Sequence, residues 1–237
     1  VLNFKSNLHL VELCLTYRCN IKCNNCSNLC TQAPYRGDLT PDIVDGFIDD
    51  LISSGNPIGQ ITLHGGEPVL NPWIFDIIEL LVDYRKISNV TLWLLTNNSC
   101  HEIREKTSKI SVEYNIALGI AEKDGIHQID YVPVNESPED LKEEYTIGCF
   151  QTENCGICFN YLGWFPCSPM AAASRLFNYY PAALTYNDLT EEKCTEYFNL
   201  HCKHCGFALP NRRRVKEQTS TKTWIDKFAE YNRKKVV

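Results

Sequence analysis

The chain has 237 residues, 44% of them hydrophobic, with a formal net charge of −6. That length allows one full domain and a small appendage around a sizeable core, and apart from cysteine the composition is that of an ordinary globular protein. The charge is uneven: residues 211–237 hold nine Lys/Arg against three Asp/Glu, a net +6, which leaves −12 on residues 1–210. A basic tail can meet an anionic substrate or nucleic acid, but a solvated helix docked on an acidic body is the plainer reading.

Val1–Asn7 lacks the apolar run of a signal peptide. The most apolar stretch, Trp73–Val82, is broken by Asp76 and Glu79, whereas a membrane span needs about 20 apolar residues. A cytoplasmic protein with no membrane partner is therefore expected. Thirteen cysteines in such a chain are not disulfides, because the cytosol is reducing. Nine of them cluster, as Cys19/Cys23/Cys26/Cys30, Cys149/Cys155/Cys158 and Cys202/Cys205, which reads as metal sites. Isolated Cys14, Cys100 and Cys194 read as small buried hydrophobes.

Leu8–Leu15 is predicted as a strand that runs into the first cysteine group. Thr40-Pro41 then starts a helix, as N-cap and first helical residue, and Ile43, Phe47, Leu51 and Ile52 form its apolar stripe. Ser54-Gly55 ends it. A strand at Gln60–Leu63 leads to His64-Gly65-Gly66-Glu67-Pro68, and a helix follows over Pro72–Arg85. A strand at Val90–Leu95 ends in Thr96-Asn97-Asn98. A short helix at His101–Lys106 and strands at Val112–Leu118 and Ile129–Val134 complete this half. Strands alternating with helices imply parallel βα units, whose ligand sites lie at the C-terminal strand ends. The three motifs that follow strands therefore gather at one rim.

From Asp130 onward the pattern changes to an acidic connector. A hairpin is predicted at Ile157–Leu162 and Trp164–Phe165 around Gly163. Helices follow at Glu191–Leu200 and at Trp224–Lys234, the latter with Trp224, Phe228 and Tyr231 on one face.

Cys19-x3-Cys23-x2-Cys26 offers three soft thiolates in one loop, suited to an iron–sulfur cluster or to zinc. Three ligands leave a cubane with one open iron; zinc would recruit a fourth, for which Cys30 is available. Gly65-Gly66 lets backbone approach a ligand closely, and Glu67 can accept a hydrogen bond from an amine. His64 reads as a strand-end histidine with a local hydrogen bond. In this order, the cysteine loop after the first strand and Gly-Gly-Glu-Pro after the second resemble the radical S-adenosylmethionine (SAM) superfamily over roughly residues 8–135.

That resemblance implies that Cys19, Cys23 and Cys26 hold a [4Fe-4S] cluster whose open iron SAM chelates. Gly65, Gly66 and Glu67 would bind the methionyl amine, with Thr96 and Asn98 also at SAM. One electron then cleaves SAM to methionine and a 5′-deoxyadenosyl radical, which takes hydrogen from substrate. The residue before the third cysteine, usually aromatic and near the adenine in this superfamily, is Asn25 here. About 10 residues separate Leu118 from Ile129, too few for a crossover helix with its loops, which implies a truncated barrel.

The second constellation is Cys149-x5-Cys155-x2-Cys158, then Gly163 before Pro166-Cys167, then Cys202-x2-Cys205. A second cluster or a zinc ribbon fits the spacing. Together these residues resemble the SPASM/twitch appendage of radical SAM enzymes, in the shorter twitch form of deoxy-scyllo-inosamine dehydrogenase-like enzymes. The resemblance implies an auxiliary [4Fe-4S] cluster on Cys149, Cys167, Cys202 and Cys205, with Cys155 as the alternative ligand. A leftover Cys155 could donate a hydrogen atom, as in radical SAM epimerases.

The expected fold is α/β: a truncated partial (β/α) barrel over 1–135, a small twitch-like α+β iron–sulfur segment over 136–210, and a basic C-terminal helix over 211–237. The expected function is a radical SAM enzyme acting on a small molecule, by dehydrogenation or epimerisation of a sugar or aminocyclitol. Its cofactors would be two [4Fe-4S] clusters and SAM, with flavodoxin or ferredoxin as electron donor and no nucleic acid. One alternative is a maturase of a ribosomal peptide, disfavoured because the 18 residues before Cys19 leave no room for a leader-binding domain. The other is a non-enzymatic zinc or iron–sulfur module that grips RNA through Arg212-Arg213-Arg214 and Tyr179-Tyr180.

Overall fold

The computed structural model describes residues 7–34, 37–55, 58–121, 133–210 and 219–233. The strands are β1 (Leu10–Thr16), β2 (Gln60–Gly65), β3 (Thr91–Thr96), β4 (Ala117–Ile120), β5 (Ile157–Asn160) and β6 (Gly163–Phe165). They form one six-stranded sheet in the order β4-β3-β2-β1-β5-β6. The first four are parallel, and each strand lies beside the one before it. This is the winding of a (β/α) barrel that stops early, the fold expected from the alternation. On the other side of β1, β5 pairs parallel with it, and β6 turns back antiparallel. The hairpin expected around Gly163 thus extends the barrel sheet and covers the edge that β1 would otherwise expose.

Helix α1 (Pro41–Ser54) starts as predicted: Thr40 Oγ1 accepts from Ile43 N at 3.4 Å, and Gly55 ends the helix in the left-handed region. Its buried stripe is Val44, Phe47, Ile48 and Leu51; Ile52 is exposed, a correction to the predicted face. Helix α2 covers Ile74–Ser88. Helix α3 runs from His101 to Tyr114, well past the predicted Lys106. Ile103, Thr107 and Ile110 are buried at helical spacing, and Val112 is exposed, so the β-branched Ile110-Ser111-Val112 imitates a strand. The strand placed at Val112–Leu118 is therefore β4, shifted to Ala117–Ile120. Most of the predicted strand Ile129–Val134 lies outside the described residues.

The second half adds two short helices, α4 (Pro138–Leu141) and α5 (Phe150–Asn154), then α6 (Ser168–Phe177), α7 (Glu191–His201) and α8 (Lys222–Arg233). Helix α6 was not expected. All its residues from Ser168 to Leu176 are buried, Ser174 and Arg175 included, so its polar side marks an internal contact and not a solvent face. Helix α8 docks as predicted, with Trp224 buried and Phe228 and Tyr231 packed on the core. The Trp224 indole donates to His204 O at 2.7 Å. Cys14 and Cys194 are buried as expected, but Cys100 is exposed at the start of α3. Among the described residues no helix is long and apolar enough to cross a membrane.

Candidate metal and SAM site

Because β1, β2 and β3 are parallel, the segments that leave them meet at one rim. Cys19, Cys23 and Cys26 line an open cavity of about 120 Å³ there, together with His64, Gly65, Gly66, Thr96 and Asn97. Cys30 is not in that lining. It is buried behind, next to Cys26, and donates to Asn28 O at 3.7 Å. Burial pushes the Cys19 thiol up to about 11, and nearby Cys26, Cys23 and Glu67 act in the same direction. Iron would have to displace that proton, as thiolate coordination requires. Three soft donors on one open cavity suit a cubane cluster held by three thiolates.

The two glycines are needed first for packing. A Cβ on Gly66 would lie 2.1 Å from Arg18 O and 3.0 Å from Cys19 Cβ, and one on Gly65 would lie 2.1 Å from Thr16 O. Gly66 N donates to Thr16 O and Glu67 N to Arg18 O, each at 2.8 Å. The turn after β2 thus lies directly against the start of the cysteine loop. Gly66→Ala is expected to cost about 1–3 kcal/mol, because backbone must move to admit the methyl group. A lower denaturant midpoint at unchanged slope would report it; an unchanged midpoint would show that the loop yields freely.

Glu67 is fully buried. Thr96 Oγ1 donates to both its carboxylate oxygens at 3.0 Å, and Asn97 N donates to Oε2 at 2.8 Å. Glu67 therefore fastens the turn after β3 to the turn after β2. Asn98 sits in the left-handed region (φ 49°) and donates its N–H to Thr96 Oγ1, outside the cavity lining. Its neighbour Asn97 faces the cavity and donates to Asn20 Oδ1 at 2.9 Å and to Cys19 Sγ at 3.8 Å. Asn97 belongs to the predicted motif but was not singled out within it.

Asn25 has a physical reason of its own. It is buried with φ 51°, a conformation asparagine tolerates better than an aromatic residue does, and its Oδ1 accepts from Thr219 N at 3.1 Å. Asn135 holds the same segment through Thr219 O and Ser220 Oγ.

In the C-terminal half, Cys149, Cys167, Cys202 and Cys205 are all buried and close enough to interact electrostatically. They come from three turns: Cys149 before α5, Cys167 before α6, and Cys202 and Cys205 in the turn after α7. Gly148 N donates to Cys202 Sγ at 3.5 Å. Burial pushes Cys202 up to about 12. Cys155, at the end of α5, is half-buried, and its neighbours are Glu12 and Cys149. Cys158 lies on β5, opposite Glu12 on β1. Cys149, Cys167, Cys202 and Cys205 are thus electrostatic neighbours, whereas Cys155 and Cys158 lie beside Glu12. Among the described residues no three His, Cys, Asp or Glu side chains are already arranged around one metal position, so a cluster would have to draw these thiols together.

Arg175 of α6 joins the two halves. Its guanidinium lies 3.6 Å from the Tyr17 ring centroid and donates to Ala33 O at 2.6 Å and Asn28 O at 2.5 Å. It thereby braces the loop that carries the first three cysteines. No local pattern could have signalled this contact, which spans more than 140 residues.

Residues 11–122 match the family model described as a 4Fe-4S single cluster domain. The AdoMet-dependent heme synthase of Methanosarcina barkeri (strain Fusaro / DSM 804) is 35% identical over 101 residues, 42% of this chain and 27% of that protein. The Fe-coproporphyrin III synthase of the same organism is 28% identical over 116 residues, 48% of this chain and 27% of that protein. The matched region is thus about a quarter of the length of these curated relatives. Among solved structures, BtrN in complex with AdoMet and 2-DOIA has a TM-score of 0.58 at 16% identity, covering 91% of this chain and 98% of that one. Native anSMEcpe with bound AdoMet has a TM-score of 0.50 at 13% identity, covering 95% and 98%. The family model spans the cysteine loop and the Gly-Gly-Glu turn, and the fold shared with BtrN continues through the C-terminal segment; over residues 11–122 the chain is thus similar to 4Fe-4S cluster domains, and over most of its length it has the fold of an AdoMet-binding protein.

Proposed function

We propose that the chain reductively cleaves SAM and directs the resulting radical at a C–H bond of a small sugar- or aminocyclitol-like molecule, by dehydrogenation or epimerisation. The observation that carries the reading is the shared cavity: three cysteines line it and Cys30 does not. A three-thiolate cluster keeps one iron free for the amine and carboxylate of SAM, and once reduced it supplies the electron that breaks the sulfonium bond. Gly65 and Gly66 keep backbone close to that cavity. Glu67, Thr96 and Asn97 hold the facing turn in place.

In this reading residues 1–135 bind SAM, 136–210 hold an auxiliary [4Fe-4S] cluster on Cys149, Cys167, Cys202 and Cys205, and 211–237 form the basic C-terminal segment. A flavodoxin or ferredoxin supplies the electron. The anaerobically reconstituted chain, given dithionite and SAM, should release methionine and 5′-deoxyadenosine. Failure to do so with iron fully loaded would overturn the proposal. Glu67 lies behind the cavity lining. Glu67→Ala is expected to weaken SAM binding by about ten- to a hundred-fold by releasing the turn that its bonds to Thr96 and Asn97 hold against the cavity, with a smaller effect on iron content. Unchanged SAM affinity would remove Glu67 from the site.

The sequence relatives support a second reading, in which the substrate is an iron porphyrin. Titration with Fe-coproporphyrin III, followed by its visible absorption, separates the two.

A further inference from the structure

Successive residues of a strand point to opposite faces of a sheet. Leu13, Leu63 and Leu94 share one face, are fully buried and belong to the core. Glu12, Thr62 and Trp93 are in register on the other face, with Cys14 and His64 paired one step nearer the SAM rim. His64 and Leu95 of this second face line the cavity with the three cysteines, and Glu12, Thr62 and Trp93 continue the same face beyond that lining.

Two polar groups on that face have an atom with no hydrogen-bond partner among the described residues. His64 is only 3% exposed, lines the cavity, and has no hydrogen bond at Nε2. One carboxylate oxygen of Glu12, Oε2, is equally shielded from solvent and also unpaired. The two groups interact: burial lowers the pKa of His64, and the Glu12 charge opposes that shift. Leaving a buried polar group unsatisfied costs about 1–3 kcal/mol, so two on one wall call for an explanation. Beside them the inner face is apolar and open, with Trp93 40% and Leu95 38% exposed, although the opposite face of the same strand is buried. Apolar walls with a few convergent polar groups are the usual make-up of a small-molecule site.

We propose that Glu12 and His64 form the substrate-recognising floor of this chamber, and that the ligand is a compact ring carrying an ammonium next to a hydroxyl. The inference rests on the proposed SAM chemistry and adds the recognition element. The ammonium pairs with the Glu12 carboxylate, which forms no ion pair among the described residues. The hydroxyl reaches His64 Nε2, and the C–H face of the ring lies on the Trp93 indole. A carboxylate-bearing ligand would instead meet Glu12 as a like charge.

The test uses the full chain, anaerobically reconstituted and saturated with SAM, titrated calorimetrically with glucosamine, glucose and glucuronate. Glucosamine should bind at least about ten-fold more tightly than glucose, and glucuronate more weakly than either. Glu12→Gln should erase the preference for glucosamine over glucose, with iron content and circular dichroism as checks on folding. Should that variant not fold, the three-probe contrast on the unaltered chain decides alone. Equal binding of glucosamine and glucose, binding of neither, tighter binding of glucuronate, or a preference that survives in a folded Glu12→Gln variant would overturn the proposal. The same preparation, reduced with dithionite, is assayed for 5′-deoxyadenosine. Its formation without amine preference sinks this inference alone, and its absence sinks the SAM-cleavage reading.

Discussion

Replacing Cys19, Cys23 and Cys26 together by alanine is expected to leave the chain with about half its reconstituted iron and no SAM cleavage at all. Two cubane clusters amount to about eight irons per chain, and only one of them would lose its ligands. The cysteine loop should keep its shape in the variant, because side chains other than thiols hold it. Asn28 Nδ2 donates to Gly65 O at 2.6 Å, Asn25 accepts from Thr219, and Arg175 grips Ala33 O and Asn28 O. The proposed auxiliary ligands lie on other turns, before α5, before α6 and after α7. Iron and sulfide analysis beside a 5′-deoxyadenosine assay reads both effects at once. Cleavage that survives would overturn the assignment of the first site. Complete loss of iron would instead show that the chain holds one cluster.

The meeting of these residues at the rim was legible because they are local in sequence and their positions follow from strand ends. A C-x3-C-x2-C loop after one strand and Gly-Gly-Glu after the next need only parallel pairing to meet, and alternation of strands and helices predicts that pairing. The reason for the glycines was not legible: their missing Cβ atoms admit the carbonyls of Thr16 and Arg18, a contact between loops some 50 residues apart. The same holds for Asn25. Its departure from an aromatic residue is visible in the sequence, but its left-handed backbone and its bond to Thr219 are long-range facts. Helix α6 escaped notice because its polar residues, Ser174 and Arg175, are buried in internal contacts and mark no solvent face, and α3 was cut short because Ile110 and Val112 carry strand-like branching. Pairing of β5 with β1 could not be foreseen either, since a hairpin that reads as self-contained gives no hint of which edge it will join.

Substitutions in the C-terminal cysteines should separate ligands from a free thiol. Cys202→Ala is expected to damage solubility as well as activity. Cys202 is buried, accepts the Gly148 N–H, and opens the turn that Trp224 of α8 caps through His204 O. Metal binding and local folding are coupled in such a segment, so losing one ligand should release the turn, α8 and the packing of Phe177 on Trp224. Cys155→Ala should behave differently. Cys155 is half-buried, and Glu12 is its main electrostatic neighbour, with Cys149 the only one of the four proposed ligands beside it. Iron content and solubility should therefore stay intact. If Cys155 donates a hydrogen atom to the substrate radical, the variant will still make 5′-deoxyadenosine but release no product, and deuterium from solvent will no longer enter the product. If the thiol has no part in turnover, product formation will continue unchanged and the reaction is an oxidation. A Cys155→Ala chain that loses about four irons would make Cys155 a ligand. Cys149 would then be the free thiol, and any hydrogen-atom donor role would pass to it.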